Sequence, residues 1–207
     1  MNAFRNGLAS AAAAAITFAS AGAPAARAEA TDPAAQQIDA LDQAVLEAMR
    51  AGKSVTTEAR YRQLEPVVTR TFDTPTMIRF AVGPTWPQIP PAQQQALTTA
   101  FRRLTVASYA KNFDSYSGQK FVVSPNVVTR GPDKVVSTQI LSPGNSPTSI
   151  AYRMRQSGDT WKVIDVYYNN SISQLTTRRS DFASTLSSGG PTALLAHINA
   201  LVDKEMK

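Results

Sequence analysis

The feature that most constrains the fold is an apolar run near the end of the chain, Trp161–Tyr168 (WKVIDVYY). Its residues are mostly β-branched or aromatic, which is typical of a strand, and a turn-forming Asn-Asn-Ser sequence follows it. Strict alternation places Val163 on one face and Ile164, Val166 and Tyr168 on the other. Because a strand that is apolar on both faces must be covered on both, other elements have to pack against each side of it.

Further strands are predicted upstream, separated by turn sequences that contain Gly, Pro, Asn or Asp. They are Lys120–Val123, a weaker candidate at Asn126–Thr129, Lys134–Leu141 and Thr148–Gln156. In the last of these, Ile150, Tyr152 and Met154 share one face and Arg153 and Arg155 share the other. This pattern indicates a half-buried strand, and the set as a whole indicates an antiparallel sheet of four to five strands.

Helices are predicted before and after these strands. Asp32 is placed to cap the first helix, with Pro33 at its first position and Gly52 at its end. Later helices are expected at Thr57–Leu64, from Asp73 to Gly83, and, after a proline-rich loop, to about Asn112. Ser171 is predicted to cap a C-terminal helix that is separated from a last one by the Gly-Gly-Pro sequence at 189–191.

These elements divide the chain into helices at 32–113, a sheet at 119–168 and C-terminal helices at 171–204. The fold class is therefore predicted as α+β, with a curved antiparallel sheet wrapped by N-terminal and C-terminal helices. We find no internal repeat, and we expect residues 29–207 to form a single domain.

The first 28 residues predict export. Arg5 precedes an apolar stretch at about 8–21, and the segment ends in an A-x-A cleavage pattern at Ala26–Ala28. An uncleaved N-terminal anchor is the alternative, although the stretch is short and alanine-rich for a membrane span. Cleavage would remove Arg5 and Arg27 and lower the formal net charge of the chain from +6 to +4.

The composition argues against several kinds of chemistry. The chain has no cysteine and one histidine, His197, so neither thiol chemistry nor a zinc site is expected. It has no Gly-rich phosphate loop and no G-x-S-x-G motif, and we expect no cofactor. The mildly basic charge is spread along the chain without stacking aromatics, so nucleic acid is not an expected partner.

Asp165 is the one residue that favours an enzyme, because it is an acid within an apolar strand. A buried carboxyl group has a raised pKa unless it is paired, and such acids can catalyse. In that alternative the protein is a small isomerase-like or dehydratase-like enzyme with Asp165 and Tyr167 or Tyr168 as acid and base. The competing interpretation is that Asp165 points to an edge and pairs with an arginine or lysine.

Arg179 is predicted to lie on an apolar helical stripe. Ile172, Leu175, Arg179 and Phe182 recur at helical spacing, whereas Arg178 is about 100° away and should be solvated. Because an unpaired buried charge is very costly, Arg179 needs a partner. The partner is a protein carboxylate, backbone carbonyls, or an anionic headgroup at the mouth of a pocket.

The same residues carry a family resemblance. The W-K-V-x-D-V strand, the motif I-S-x-L-x-x-R-R-S-D-F and the later S-G-G-x-x-A-L-L resemble the toluene-tolerance (MlaC) family of periplasmic lipid carriers. Upstream, Pro91–Gln94, Phe101-Arg102, Tyr109 and Gly118-Gln119 resemble that family's long helix and first strand. The resemblance covers about residues 35–203, and the R-R-S-D-F form looks more similar to the family's hopanoid-associated branch, HpnM, than to MlaC itself.

The resemblance implies an internal apolar pocket that holds lipid acyl chains, and passage of phospholipid or hopanoid between inner-membrane and outer-membrane complexes of an ABC-type transport system. Such a carrier would be periplasmic and would catalyse no reaction. The wall residues that we predict are Met77, Ile78, Val82, Phe101, Leu104, Ile140, Tyr152, Met154, Val166, Ile172 and Leu175. Arg179 and Trp86 are predicted at the headgroup or mouth. A third hypothesis is a periplasmic adaptor whose pocket is filled by its own side chains.

Overall fold

The computed structural model describes residues 32–169 and 171–207, so the predicted signal peptide lies outside the described residues. The first helix, α1, spans Pro33–Ala51 and has the predicted ends. The Asp32 carboxylate accepts a hydrogen bond from the backbone N–H of Ala34 at 2.8 Å, and Gly52 ends the helix with a φ of 59°. Both terminal signals in the sequence are therefore confirmed.

The other N-terminal helices are α2 (Thr57–Thr71), α3 (Thr74–Val82) and α4 (Pro91–Asn112), with 3₁₀ turns at Gly52–Ser54 and Gly83–Gln88. Helix α2 is longer than the predicted Thr57–Leu64 because it continues through Pro66. A proline disfavours helix at the residue before it, which is why the sequence indicated an end there. Burial of Val67 and Val68 on the far side of the proline favours continuation.

The sheet has six antiparallel strands, and the α+β fold class is confirmed. The strands are β1 (Lys120–Val123), β2 (Val128–Arg130), β3 (Asp133–Leu141), β4 (Thr148–Ser157), β5 (Thr160–Tyr168) and β6 (Ile172–Ser173). They are ordered β1-β3-β4-β5-β6, with β2 also beside β3. The short β6 was not predicted, because its two residues were assigned to the first turn of the following helix.

A bulge in β5 corrects the predicted faces of this strand. Arg153 pairs with Asp165 and Met154 pairs with Val163, so Ile164 is the extra residue. Paired residues share a face of the sheet. Tyr152 and Met154 lie on the same face of β4 and pair with Val166 and Val163, so these two valines also lie on one face. Strict alternation predicted Val163 and Val166 on opposite faces, and the extra residue Ile164 brings them onto the same face. Val163 and Ile164 are both buried, as expected for a strand covered on both sides.

The C-terminal helix α5 spans Gln174–Glu205 and is kinked at Gly190, which has a φ of 68° and a ψ of −166°. Its N-cap is Ser173 rather than the predicted Ser171, since the hydroxyl oxygen of Ser173 accepts from the N–H of Thr176 at 2.9 Å. Helices α3 and α4 pack against α5, and α1, α2, α3 and α5 contact β5. None of the helices in the described part of the chain is long and apolar enough to cross a bilayer.

Candidate functional site

A cavity of about 540 Å³ lies between α4, the start of α5 and one face of the sheet. This volume is within the range of ligand-binding cavities in proteins. Its walls are mainly aromatic and aliphatic. These side chains are Phe72, Met77, Phe101, Leu104, Tyr109, Phe113, Ile140, Ile150, Val166, Tyr168 and Leu175. An apolar lining of this kind favours a hydrocarbon ligand over a polar one.

The structure brings six of the predicted wall residues together around this cavity. They are Met77, Phe101, Leu104, Ile140, Val166 and Leu175. They come from α3, α4, β3, β5 and α5, so residues distant in sequence converge on one space. Their contact with a lipid remains a prediction.

The other five predicted wall residues lie elsewhere. Ile78, Val82, Tyr152 and Met154 are buried in the hydrophobic core but do not line the cavity. Ile172 is in β6 and is 54% exposed. The helix was predicted to begin at Ser171, and that start placed Ile172 on its apolar stripe. Because α5 begins at Gln174, Ile172 lies before the helix and outside its apolar stripe.

Polar groups at the cavity mark where it opens to solvent. Asn112, Tyr168 and Gln174 are exposed residues of the lining, and Arg178 and Glu205 are half-buried ones. We call these five residues the rim. Asn112 is at the end of α4, whereas Gln174, Arg178 and Glu205 come from the two ends of α5. A cavity with apolar walls and a polar, charged rim suits an amphiphilic ligand.

The structure reverses the burial predicted for the two adjacent arginines. Arg179 is exposed, not buried, and does not line the cavity, whereas Arg178 does. The Arg179 guanidinium covers Gly83: a Cβ at Gly83 would lie 3.3 Å from Nη2. The core-facing stripe of α5 contains the half-buried Leu175 and the buried Phe182, and Arg178 is three residues from the first and four from the second.

Trp86 is also away from the cavity wall. It lies in the 3₁₀ turn after α3, is half-buried and packs against the core. Its backbone carbonyl accepts hydrogen bonds from the side chain of Gln94 at 2.9 Å and from the N–H of Ile89 at 3.1 Å. Trp86 is therefore not among the residues that line the cavity.

Asp165 is buried and is held by hydrogen bonds at the start of α5. Its carboxylate accepts from the Ser173 hydroxyl at 2.7 Å and from the N–H groups of Val166 at 2.8 Å and Leu175 at 3.1 Å. No arginine or lysine side chain forms a salt bridge with it in the described part of the chain; Arg153 is opposite Asp165 in the sheet, but its guanidinium forms a salt bridge with Asp133 instead. Asp165 therefore anchors the helix that carries Leu175 and Arg178, and it is absent from the cavity lining.

A polar cluster that the sequence analysis missed lies beneath the cavity. Asp42 of α1 is buried and accepts a hydrogen bond from the Thr138 hydroxyl at 3.0 Å. Burial raises the pKa of Asp42 to about 8, so this carboxyl group is largely protonated at neutral pH. Burial also raises the pKa of the neighbouring Tyr109 and Tyr152 hydroxyls. Tyr109 lines the cavity and connects the cluster to it.

The lone histidine joins the two limbs of α5. His197 Nε2 lies 2.8 Å from Asp181 Oδ2, and its ring packs edge-on against Phe182. Among residues 32–169 and 171–207, no three His, Asp or Glu side chains are grouped as a metal ion would require.

Comparison with known proteins gives two matches and one negative result. The sequence profile of a family described as "MlaC protein" matches residues 39–200. A phospholipid-binding protein from Ralstonia solanacearum, solved in complex with a phospholipid, has a similar fold, with a TM-score of 0.73. The two chains are 21% identical, and the match covers 85% of this chain and 100% of that one. No curated protein sequence matches the chain significantly.

Proposed function

The chain belongs to the MlaC family, and on that premise we propose that it is a soluble periplasmic lipid carrier. In this proposal it shuttles phospholipid or hopanoid between the inner and outer membranes as part of an ABC-type lipid-transport system. It catalyses no reaction. Its partners are the lipid and the membrane complexes that load and unload it.

The observation that carries the proposal is the apolar cavity with its charged rim. Exposing one buried CH₂ group to water costs about 0.8 kcal/mol, so an acyl chain of about 16 carbons costs on the order of 13 kcal/mol. Unaided transfer through water is therefore negligible. The aromatic and aliphatic walls would offset most of this cost without any sequence-specific contact, as a carrier that must also release its lipid requires.

The rim supports a lipid ligand over a simple hydrocarbon. A guanidinium binds phosphate oxygens in a bidentate way, and Arg178 is the arginine among the cavity-lining residues. The Ralstonia solanacearum protein of the same fold was solved with a phospholipid bound. We therefore place the acyl part of the ligand against Phe101, Leu104 and Val166 and its headgroup beside Arg178.

Assignment to the hopanoid-associated branch is the finer part of the proposal. It rests on the R-R-S-D-F sequence at 178–182, in which Arg178 lines the cavity and Phe182 is buried. A hopanoid is a rigid ring system and a phospholipid has flexible chains, and both are amphiphiles that suit an apolar cavity with a polar rim. The lipid that copurifies with the protein would decide between them.

The two alternative functions have weaker support. An enzyme with Asp165 as its acid would need this carboxyl group at the cavity, but its oxygens are engaged at the start of α5. An adaptor with a pocket filled by its own side chains would not need 540 Å³ of lined space. Both hypotheses predict a protein that takes up no lipid.

Filling the cavity tests the proposal. Ser108 and Lys111 lie on the same helix, but only Ser108 lines the cavity and Lys111 is exposed. In an assay of fluorescent phospholipid transfer between vesicles, we expect Ser108→Trp to lose most of the transfer and Lys111→Trp to retain it. Both variants should show the native circular dichroism spectrum. Equal transfer by a folded Ser108→Trp variant would refute the cavity as the lipid site.

A further inference from the structure

The rim carries two opposite charges that do not neutralise each other. Arg178 and Glu205 both line the cavity and both are half-buried. Among the described residues, neither side chain takes part in a salt bridge or a hydrogen bond, whereas other half-buried charges such as Lys134 and Arg155 are paired. Two unpaired charges of opposite sign at one opening are suited to a ligand that carries both signs.

The kink in α5 is what places these two residues at the same opening. At Gly190 the chain leaves helical geometry, and the two limbs then run side by side, with His197 on one limb 2.8 Å from Asp181 on the other. Arg178 lies in the second turn of the first limb, and Glu205 is the last residue of the second limb. The two ends of one helix therefore meet at the cavity, although 27 positions separate the residues in sequence.

The backbone carbonyls at the end of α5 add to the negative potential around Glu205. The last backbone carbonyls of a helix lack N–H partners within it and carry a partial negative charge, which favours a cation nearby. A second anion at this position would be repelled by both Glu205 and the carbonyls. A cationic group would be attracted by both.

We propose that the rim recognises a zwitterionic headgroup, with its phosphate beside Arg178 and its ammonium beside Glu205. Among phospholipids, the preferred class is then an aminophospholipid of the phosphatidylethanolamine type over an anionic phospholipid such as phosphatidylglycerol. This inference rests on the proposed lipid-carrier function and deepens it. Glu205 is in this account a specificity-determining residue, because it contributes to the choice of headgroup and not to holding the acyl chain.

The test is a competition between two headgroups. The purified protein is equilibrated with vesicles that contain equal amounts of phosphatidylethanolamine and phosphatidylglycerol with identical acyl chains, and bound lipid is identified by native mass spectrometry. We expect a preference of about fivefold for phosphatidylethanolamine, the size of effect that a half-exposed ion pair produces. Glu205→Gln should abolish the preference by lowering the occupancy by phosphatidylethanolamine, with the occupancy by phosphatidylglycerol no lower than in the wild type. Arg178→Gln should lower occupancy by both lipids.

Two neighbouring residues provide matched controls. Asp203 and Arg179 are exposed, lie on the same helix and do not line the cavity, so Asp203→Asn and Arg179→Gln should keep the wild-type preference. Equal occupancy of the wild-type protein by the two lipids, or an unchanged preference in Glu205→Gln, would overturn the zwitterion proposal alone. A protein that takes up neither lipid would overturn the carrier function itself.

Discussion

Two buried carboxyl groups, Asp42 and Asp165, are held in the structure in different ways. Asp165 accepts three hydrogen bonds, two of them from backbone N–H groups at the end of β5 and the start of α5. Asp42 accepts one, from the hydroxyl of Thr138. Burial without a cationic partner favours the neutral acid, which is why the pKa of Asp42 rises to about 8.

The raised pKa of Asp42 predicts a pH-dependent stability. Its usual pKa of 3.8 applies in the unfolded chain, so between about pH 4 and pH 8 the folded state binds the extra proton. This contribution to the free energy of unfolding is complete below pH 4 and is lost as the pH rises to about 8. Asp42→Asn should remove that slope, of roughly 1.4 kcal/mol per pH unit, and should be more stable than wild type at pH 8.

Urea unfolding at pH 5 and pH 8 measures this effect. Asp159→Asn, in the exposed turn between β4 and β5, is the control and should keep the wild-type slope. The same pH dependence in Asp42→Asn and wild type would show that Asp42 is ionised in the folded protein.

Replacing Asp165 separates a structural role from a catalytic one. Asp165→Asn keeps one acceptor oxygen but replaces the other with an NH₂ group, which cannot accept a hydrogen bond. We therefore expect a loss of about 1–3 kcal/mol in the free energy of unfolding. The lipid bound per folded protein should be unchanged, because Asp165 is not part of the cavity lining. Denaturant unfolding and native mass spectrometry measure the two quantities. A stable variant that no longer binds lipid would contradict this assignment.

Individual residues also show where sequence reasoning reaches its limit. Asp42 could have been found, because it lies on the apolar stripe of α1, four residues after Ile38 and three before Val45. Arg178 and Arg179 could not have been distinguished with certainty. They are 100° apart on a helix, and the choice between them depends on where α5 begins and how it is rotated against its neighbours.

At the scale of elements, local signals identified most helices and strands, whereas tertiary contacts decided the exceptions. Caps such as Asp32 and turns such as the one before Thr160 are encoded within a few residues. The bulge at Ile164 and the continuation of α2 through Pro66 are not, since each depends on packing against other elements. The two-residue β6 exists only through its pairing with β5.

The kink of α5 is an element-scale feature that can be tested by one substitution. Gly190 has a backbone conformation that is essentially restricted to glycine, and a Cβ there would meet no atom within 4 Å. Gly190→Ala should therefore lower the free energy of unfolding by about 1–3 kcal/mol through backbone strain alone. Ser188→Ala, two residues earlier in the helix, should change it by less. Equal stabilities of the two variants in chemical denaturation would contradict this account of the kink.

For the whole molecule, the sequence predicts a cavity less well than it predicts a fold. The same apolar residue types fill a core and line a ligand site, so Met77 and Ile78 are indistinguishable by sequence although only Met77 lines the cavity. What separates them is the three-dimensional arrangement of α3, α4, α5 and the sheet. The family resemblance supplied the expectation of a pocket, and the structure supplied its position and its rim.

The central claim is that the cavity carries a lipid, and native mass spectrometry of the purified protein tests it most directly. We predict one lipid per protein, released by solvent extraction and identified as a phospholipid or a hopanoid. A mass without bound lipid, together with no uptake from mixed vesicles, would contradict the claim and favour an adaptor or an enzyme.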